Sequence, residues 1–140
     1  MISSGTDNTE APIVQGQSEH NLIGGAILCA RKGWKVFPVH SVADGTCTCG
    51  KTDCKSPGKH PMHTGWQGEA TNEIDIIREL WRPTPWANIG VATGRASGFF
   101  AVDVDAHRGG DETLKAYEAK HGELPPTIEA ITGNLGRHIL

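Results

Sequence analysis

Several things are scarce in this sequence of 140 residues, and each scarcity removes a class of protein. No Lys or Arg occurs from Met1 to Glu19, so the basic stretch that opens a secretory signal is missing. The longest nearly apolar stretch, Leu22 to Ala30, is nine residues, against the ~20 that a membrane helix needs. Charge of one sign is not in excess either. Asp7, Glu10 and Glu19 carry the whole net charge of −3, and the remainder balances 13 bases against 13 acids. A globally basic nucleic-acid binder is excluded, so any phosphate-binding surface must be local. Aromatic residues are 6% of the chain, and no Walker loop, dinucleotide fingerprint or nucleophile elbow occurs. A cytoplasmic protein of about one domain is the expectation.

Glycine, with 18 residues, is abundant. The first 19 residues are polar without an apolar period and read as a disordered leader, followed by one domain over residues 20–140. From His20, Leu22, Ile23, Ala26, Ile27 and Ala30 predict a helix with one buried face, ended by Gly33. Trp34 to Val39 alternates like a strand, with Pro38 at an edge or an end. A second helix is expected from Asn72 as its cap to Trp81. Ala87–Ala92 and Phe99–Asp105 are expected to form a hairpin. A third helix is expected over about Asp111–Lys120, and two strands over Thr127–Thr132 and Arg137–Leu140. Helices and strands mix without a βαβ rhythm, which predicts an α+β fold around a mainly antiparallel sheet with flanking helices. The tryptophans Trp34, Trp66, Trp81 and Trp86 are expected to pack in the core or a lid.

Three groups of residues carry chemistry. In Phe99–Asp105, alternation puts Phe100, Val102 and Val104 on one side and Asp103 and Asp105 on the other, with their Cα atoms about 6.8 Å apart. Two carboxylates so placed can hold Mg²⁺ or Mn²⁺ together with substrate phosphates, although a solvated strand end would show the same pattern. Residues 44–63 form a Cys/His-rich loop. Cys47, Cys49, Cys54 and His60 have the spacing of a Cys₃His zinc site, with His63 as an alternative fourth ligand. Lys51, Lys55 and Lys59 make this loop locally basic; Cys29 is expected in the core. Gly136-Arg137-His138 offers a guanidinium and an imidazole suited to phosphate.

In order along the chain, Gly33-Trp-Lys-Val-Phe-Pro38, the Cys-x-Cys-x4-Cys-x-Ser-Pro-Gly-Lys-His-Pro61 run, Gly65-Trp66, Ala70-Thr71, Trp86 to Gly94, Ser97-Gly98, Asp103-Val-Asp105, Gly109-Gly110, Leu124-Pro125 and Gly136-Arg-His138 resemble the N-terminal domain of bifunctional primase-polymerases, in the archaeo-eukaryotic primase superfamily. The resemblance implies an RNA-recognition-like antiparallel sheet. It also implies metal-dependent transfer of nucleotides from nucleoside triphosphates to a primer on a DNA template, in replication of a plasmid, phage or integrated element, often beside a helicase domain or subunit. Asp103 and Asp105 would bind the catalytic Mg²⁺ or Mn²⁺, and His138 would contact the incoming triphosphate, with Arg137 beside it. Leu135 stands at a customary glycine. The family's third acidic motif lies beyond its His motif, whereas this sequence ends two residues after His138. A C-terminally incomplete and inactive version is therefore expected from the resemblance. A non-catalytic zinc-containing nucleic-acid-binding module and an inactive remnant are the alternatives.

Overall fold

A computed structural model describes residues 22–132 and 135–140. The expected leader, the start of the first helix at His20, and Gly133-Asn134 lie outside the described residues. Helix α1 (Ile23–Arg31) leads into strand β1 (Lys35–Val39), as the apolar spacing and the alternation predict. A small hairpin follows, β2 (Val42–Ala43) and β3 (Thr46–Cys47), then a one-turn helix α2 (Trp66–Glu69) and helix α3 (Ile74–Trp81). Strands β4 (Asn88–Ala92) and β5 (Val102–Val104), a 3₁₀ turn (Ala106–Arg108), helix α4 (Gly110–His121), and strands β6 (Glu129–Ile131) and β7 (Arg137–Ile139) complete the order.

The fold is a mixture of helices and antiparallel strands, as expected, but the strands fall into separate sheets: β1-β4, β2-β3 and β5-β7-β6. Helices α1 and α3 cover one face of β1-β4. Ala26, Ala30, Val36, Ile77, Trp81 and Ala87 form the core between them. Trp81 is 1% exposed, and its indole N–H donates to the Ala87 carbonyl at 3.1 Å, so its one polar group is satisfied inside the core. Cys29 packs against this cluster, and burial raises its thiol pKa, opposed by the Lys32 charge.

Several expectations are corrected. The hairpin of Ala87–Ala92 with Phe99–Asp105 shrinks to one bridge between Gly94 and Phe99. The Gly98 N–H donates to the Gly94 carbonyl and closes the turn, and the chain then leaves the sheet. β4 takes β1 as its partner, and β5 takes β7. Phe100, ahead of the shortened strand, is 74% exposed, whereas Val104 is buried. Asn72 does not cap α3. Thr71 exchanges two backbone hydrogen bonds with Val36 and its hydroxyl accepts the Glu73 N–H, so the chain stays extended and the cap falls on Glu73. Residues 40–65 are not patternless: Asp44 and Gly45 both have positive φ (49° and 76°), the two-residue turn that fits a hairpin. Trp86 is 41% exposed rather than packed away. Leu135 takes φ 59°, the left-handed conformation that a glycine would adopt without strain.

Candidate metal and nucleotide sites

The Cys/His loop folds back on itself at the end of β1. The His40 N–H donates to the His60 carbonyl, and the Met62 N–H donates to the Pro38 carbonyl, so His60 is anchored on both sides. Pro38 loses nothing in this arrangement, because its missing N–H lies on the outer side of β1, away from β4. From β4, the Asn88 side-chain amide donates to the carbonyls of His40 (3.2 Å) and Gly58 (3.0 Å). These bonds join the loop to the sheet.

Within the loop, Cys47, Cys49, Cys54 and His60 bring their ligand atoms within 4.8 Å of one another, a group that could hold a metal such as zinc. His60 Nε2 lies 3.5 Å from both Cys47 Sγ and Cys54 Sγ. On a zinc tetrahedron with bonds of about 2.3 Å to sulfur and 2.0–2.1 Å to nitrogen, such atoms stand about 3.5 Å apart. His60 Nδ1 lies 3.3 Å from the Pro61 carbonyl, an acceptor that favours the tautomer with Nε2 free for a metal. His63, the alternative ligand, instead pairs with Glu69 at 2.7 Å. The Gly58 N–H, bonded to Cys47 Sγ, draws the Cys47 thiol down to about 6, against burial, with further help from Cys49 and His60. At Cys54, the Ser56 N–H acts in the same direction, but burial and the neighbouring Cys47 and Cys49 raise the pKa overall. Beside the group, the His40 ring packs at a tilt against His60 with centroids 4.5 Å apart, and burial, then His60 and His63, lower its pKa.

The acidic strand is the second feature. Register places Asp103 of β5 directly opposite His138 of β7, and His138 Nε2 faces Asp103 Oδ1 across 3.6 Å. Asp103 is exposed, while Val104 and Ile139 are buried on the other face. Asp105 ends the strand: one carboxylate oxygen accepts the His107 N–H at 3.1 Å, and the other lies 3.5 Å from Arg108 Nε. Two glycines allow this crowding. A Cβ at Gly110 would stand 2.7 Å from the Asp105 backbone N and O, and one at Gly136 would stand 2.8 Å from the Val104 carbonyl. The start of α4 and the turn before β7 therefore press directly on the backbone that carries the two acids.

Arg137 and His138 lie on opposite faces of β7. Neighbouring residues of a strand point to opposite faces. Arg137 is on the helix-covered side, held by Glu129 of β6 (3.2 Å) and Asp111 of α4 (3.1 Å), which raise its pKa in that order. His138 looks into an open groove of about 760 Å³ between the two larger sheets. Phe37, Trp66 and Gly90 line its β1-β4 side, and Lys59 of the Cys/His loop reaches the same groove. The Phe37 and Trp66 rings lie 4.3 Å apart. Sequence reasoning missed Asn88 as the link between loop and sheet, and no local pattern marks it. It also missed the groove, which only the pairing of distant strands creates.

The structure thus combines a mixed fold of helices and antiparallel strands, a Cys₃His cluster that could hold a metal, and a groove with His138 in its wall. The comparison of families is more specific: residues 26–140 match the N-terminal domain of bifunctional DNA primase/polymerases, and the chain belongs to that family. At the family level, this implies DNA primase/polymerase activity with DNA and nucleotide substrates. Comparison with curated proteins and with solved structures gives no match. Among the described residues, no helix is long and apolar enough to cross a membrane.

Proposed function

We propose that the groove receives a nucleoside triphosphate for transfer to a primer on a DNA template, with Asp103, Asp105 and His138 at the reacting end. The observation that carries this reading is the facing of Asp103 and His138, with His138 in the groove wall. The donor set suits a hard cation: two carboxylates, on β5 and just after it, with oxygen positions left for substrate phosphates, as Mg²⁺ and Mn²⁺ require. When bound, such ions neutralise and align the triphosphate oxygens. The protein's own part is to hold the two acids in place and to offer the imidazole of His138 as a donor to a phosphate oxygen. Lys59 supplies positive charge across the same groove. Arg137, committed to Glu129 and Asp111, fits a brace for β7 better than a phosphate contact.

In this reading, zinc at Cys47, Cys49, Cys54 and His60 is structural, since four protein ligands leave no open position. It also fits a reducing cytoplasmic setting, where thiols stay available as ligands. Calorimetry with Mn²⁺ and a nucleoside triphosphate tests the site: wild type should give a binding heat that Asp103→Asn removes. Equal heats would reduce the two acids to a solvated strand end. Extension of a labelled primer on a DNA template, dependent on Mg²⁺ or Mn²⁺ and on Asp103, separates nucleotidyl transfer from a binding module.

A further inference from the structure

Arg137 joins three elements through one guanidinium. Its Nη1 pairs with Glu129 Oε2 on β6 at 3.2 Å, and its Nη2 with Asp111 Oδ1 in the first turn of α4 at 3.1 Å. Among the described residues, no other base pairs with either acid. The side chain is 33% exposed, so these pairs are less screened than those of a fully open surface. A cleft of about 380 Å³ beside it is lined by Asp111, Glu112, Lys115 and Glu118, and lies apart from the groove that His138 lines. A triphosphate entering this cleft would meet more acid than base, which points Arg137 to a task other than holding phosphate.

The backbone supplies that task. Asp111 follows Gly110, whose N–H donates to the Asp105 carbonyl at 2.9 Å, and where a Cβ would stand 2.7 Å from the Asp105 N and O. Pinning Asp111 therefore pins the backbone that carries Asp105. Along β7, Arg137 is preceded by Gly136, where a Cβ would stand 2.8 Å from the Val104 carbonyl and 3.7 Å from the Asp105 Cα. It is followed by His138, whose register partner is Asp103. One guanidinium thus acts on the chain under both acids and the histidine, from the face that the groove does not reach. Without it, Glu129 and Asp111 would be left as like charges, and their repulsion would push α4 away from β6.

We infer that Arg137 is a positioning residue, which through Glu129 and Asp111 locks β6 and the start of α4 onto β7 and so sets the spacing of Asp103, Asp105 and His138. The inference rests on the proposed triphosphate site, and its test separates the two. Calorimetry of the full chain with Mn²⁺ and a non-hydrolysable nucleoside triphosphate is the measurement. Asp111→Asn is the deciding variant, because positioning and direct contact predict opposite signs. If Arg137 touched phosphate, loss of its acidic partner would free the guanidinium and tighten binding. A brace predicts binding roughly threefold weaker, the loss of one partly exposed ion pair. Arg137→Met, which breaks both pairs, should weaken binding about tenfold. Arg137→Lys, a point charge without the planar fork, should fall between the two extremes. Trp81→Phe is the stability control: it removes the indole hydrogen bond in the α1, α3 and β1-β4 core, and should lower the melting temperature at least as much as Asp111→Asn with affinity unchanged. At saturating nucleotide, Mn²⁺-induced broadening of the His138 resonances, which falls steeply with distance, should drop in Asp111→Asn and hold in Trp81→Phe. Unchanged or tighter binding by Asp111→Asn, or an equal loss in Trp81→Phe, would overturn the inference and leave the triphosphate site standing. Absence of a binding heat in wild type would remove that site and the inference with it.

Discussion

Removing the Asn88 amide should loosen the Cys/His loop from the sheet, and the size of the effect follows from two hydrogen bonds. The amide donates to the carbonyls of His40, ahead of the metal group, and Gly58, between its last two ligands. Each bond contributes about 0.5–1.5 kcal/mol, so Asn88→Ala should cost about 1–3 kcal/mol. For a domain of this size, that is a fall in melting temperature of roughly 4–12 °C. Asn88→Asp should be worse than Ala, because a carboxylate has no proton to offer and would face two carbonyl oxygens. The assay is a thermal melt of each variant together with the rate at which a chelator extracts the metal, which should rise as the loop gains freedom. A melting temperature within about 1 °C of wild type, with extraction unchanged, would show that the loop does not rely on β4 and that the groove wall containing Lys59 is set otherwise.

Other expectations can be checked more briefly. Purified protein should contain near-stoichiometric zinc by elemental analysis, reduced in Cys49→Ser; metal-free protein with intact folding would remove the assignment. Because the folded Cys47 thiol sits at about 6, below its ordinary value, it is a thiolate above that pH and protonates below it. Thiolate ultraviolet absorbance of chelator-treated protein should therefore show a step near this pH that is missing from Cys47→Ser. Leu135→Gly should raise stability by roughly 0.5–1 kcal/mol, since it relieves a left-handed backbone at an exposed side chain. A lower melting temperature would contradict that. Gly90→Ala should destabilise by about 1–3 kcal/mol, as its Cβ would overlap the Phe37 ring and lie 2.8 Å from Val39 Cγ2. An unchanged near-ultraviolet spectrum and melt would show that Phe37 can move aside.

Features that depend on neighbours in the chain were legible before any coordinates. The apolar period of α1 and α3, the alternation of β1, the glycine that closes α4 and the Cys₃His spacing all appear where local chemistry puts them. The choice of His60 over His63 was open in the sequence, because it turns on Glu69, six residues on, which engages His63. Strand pairing was not legible. β5 abandons the nearby β4 for β7, a partner more than thirty residues away, and spacing carries no record of that. Two points could have been read and were not. Asp44-Gly45 between short β-prone pairs signals a hairpin turn. Adjacent residues in a strand point to opposite faces, so Arg137 and His138 were to be expected on different sides of β7.

The most direct measurement is the paramagnetic effect of Mn²⁺ on the His138 imidazole resonances, recorded with a non-hydrolysable nucleoside triphosphate. If Asp103, Asp105 and His138 form one metal–triphosphate site, substoichiometric Mn²⁺ should broaden the His138 signals strongly when the nucleotide is present. The histidine of the Cys/His loop at His63 should be far less affected, and Asp103→Asn should abolish the effect. His138 signals that stay sharp, or that broaden equally in wild type and Asp103→Asn, would contradict the account.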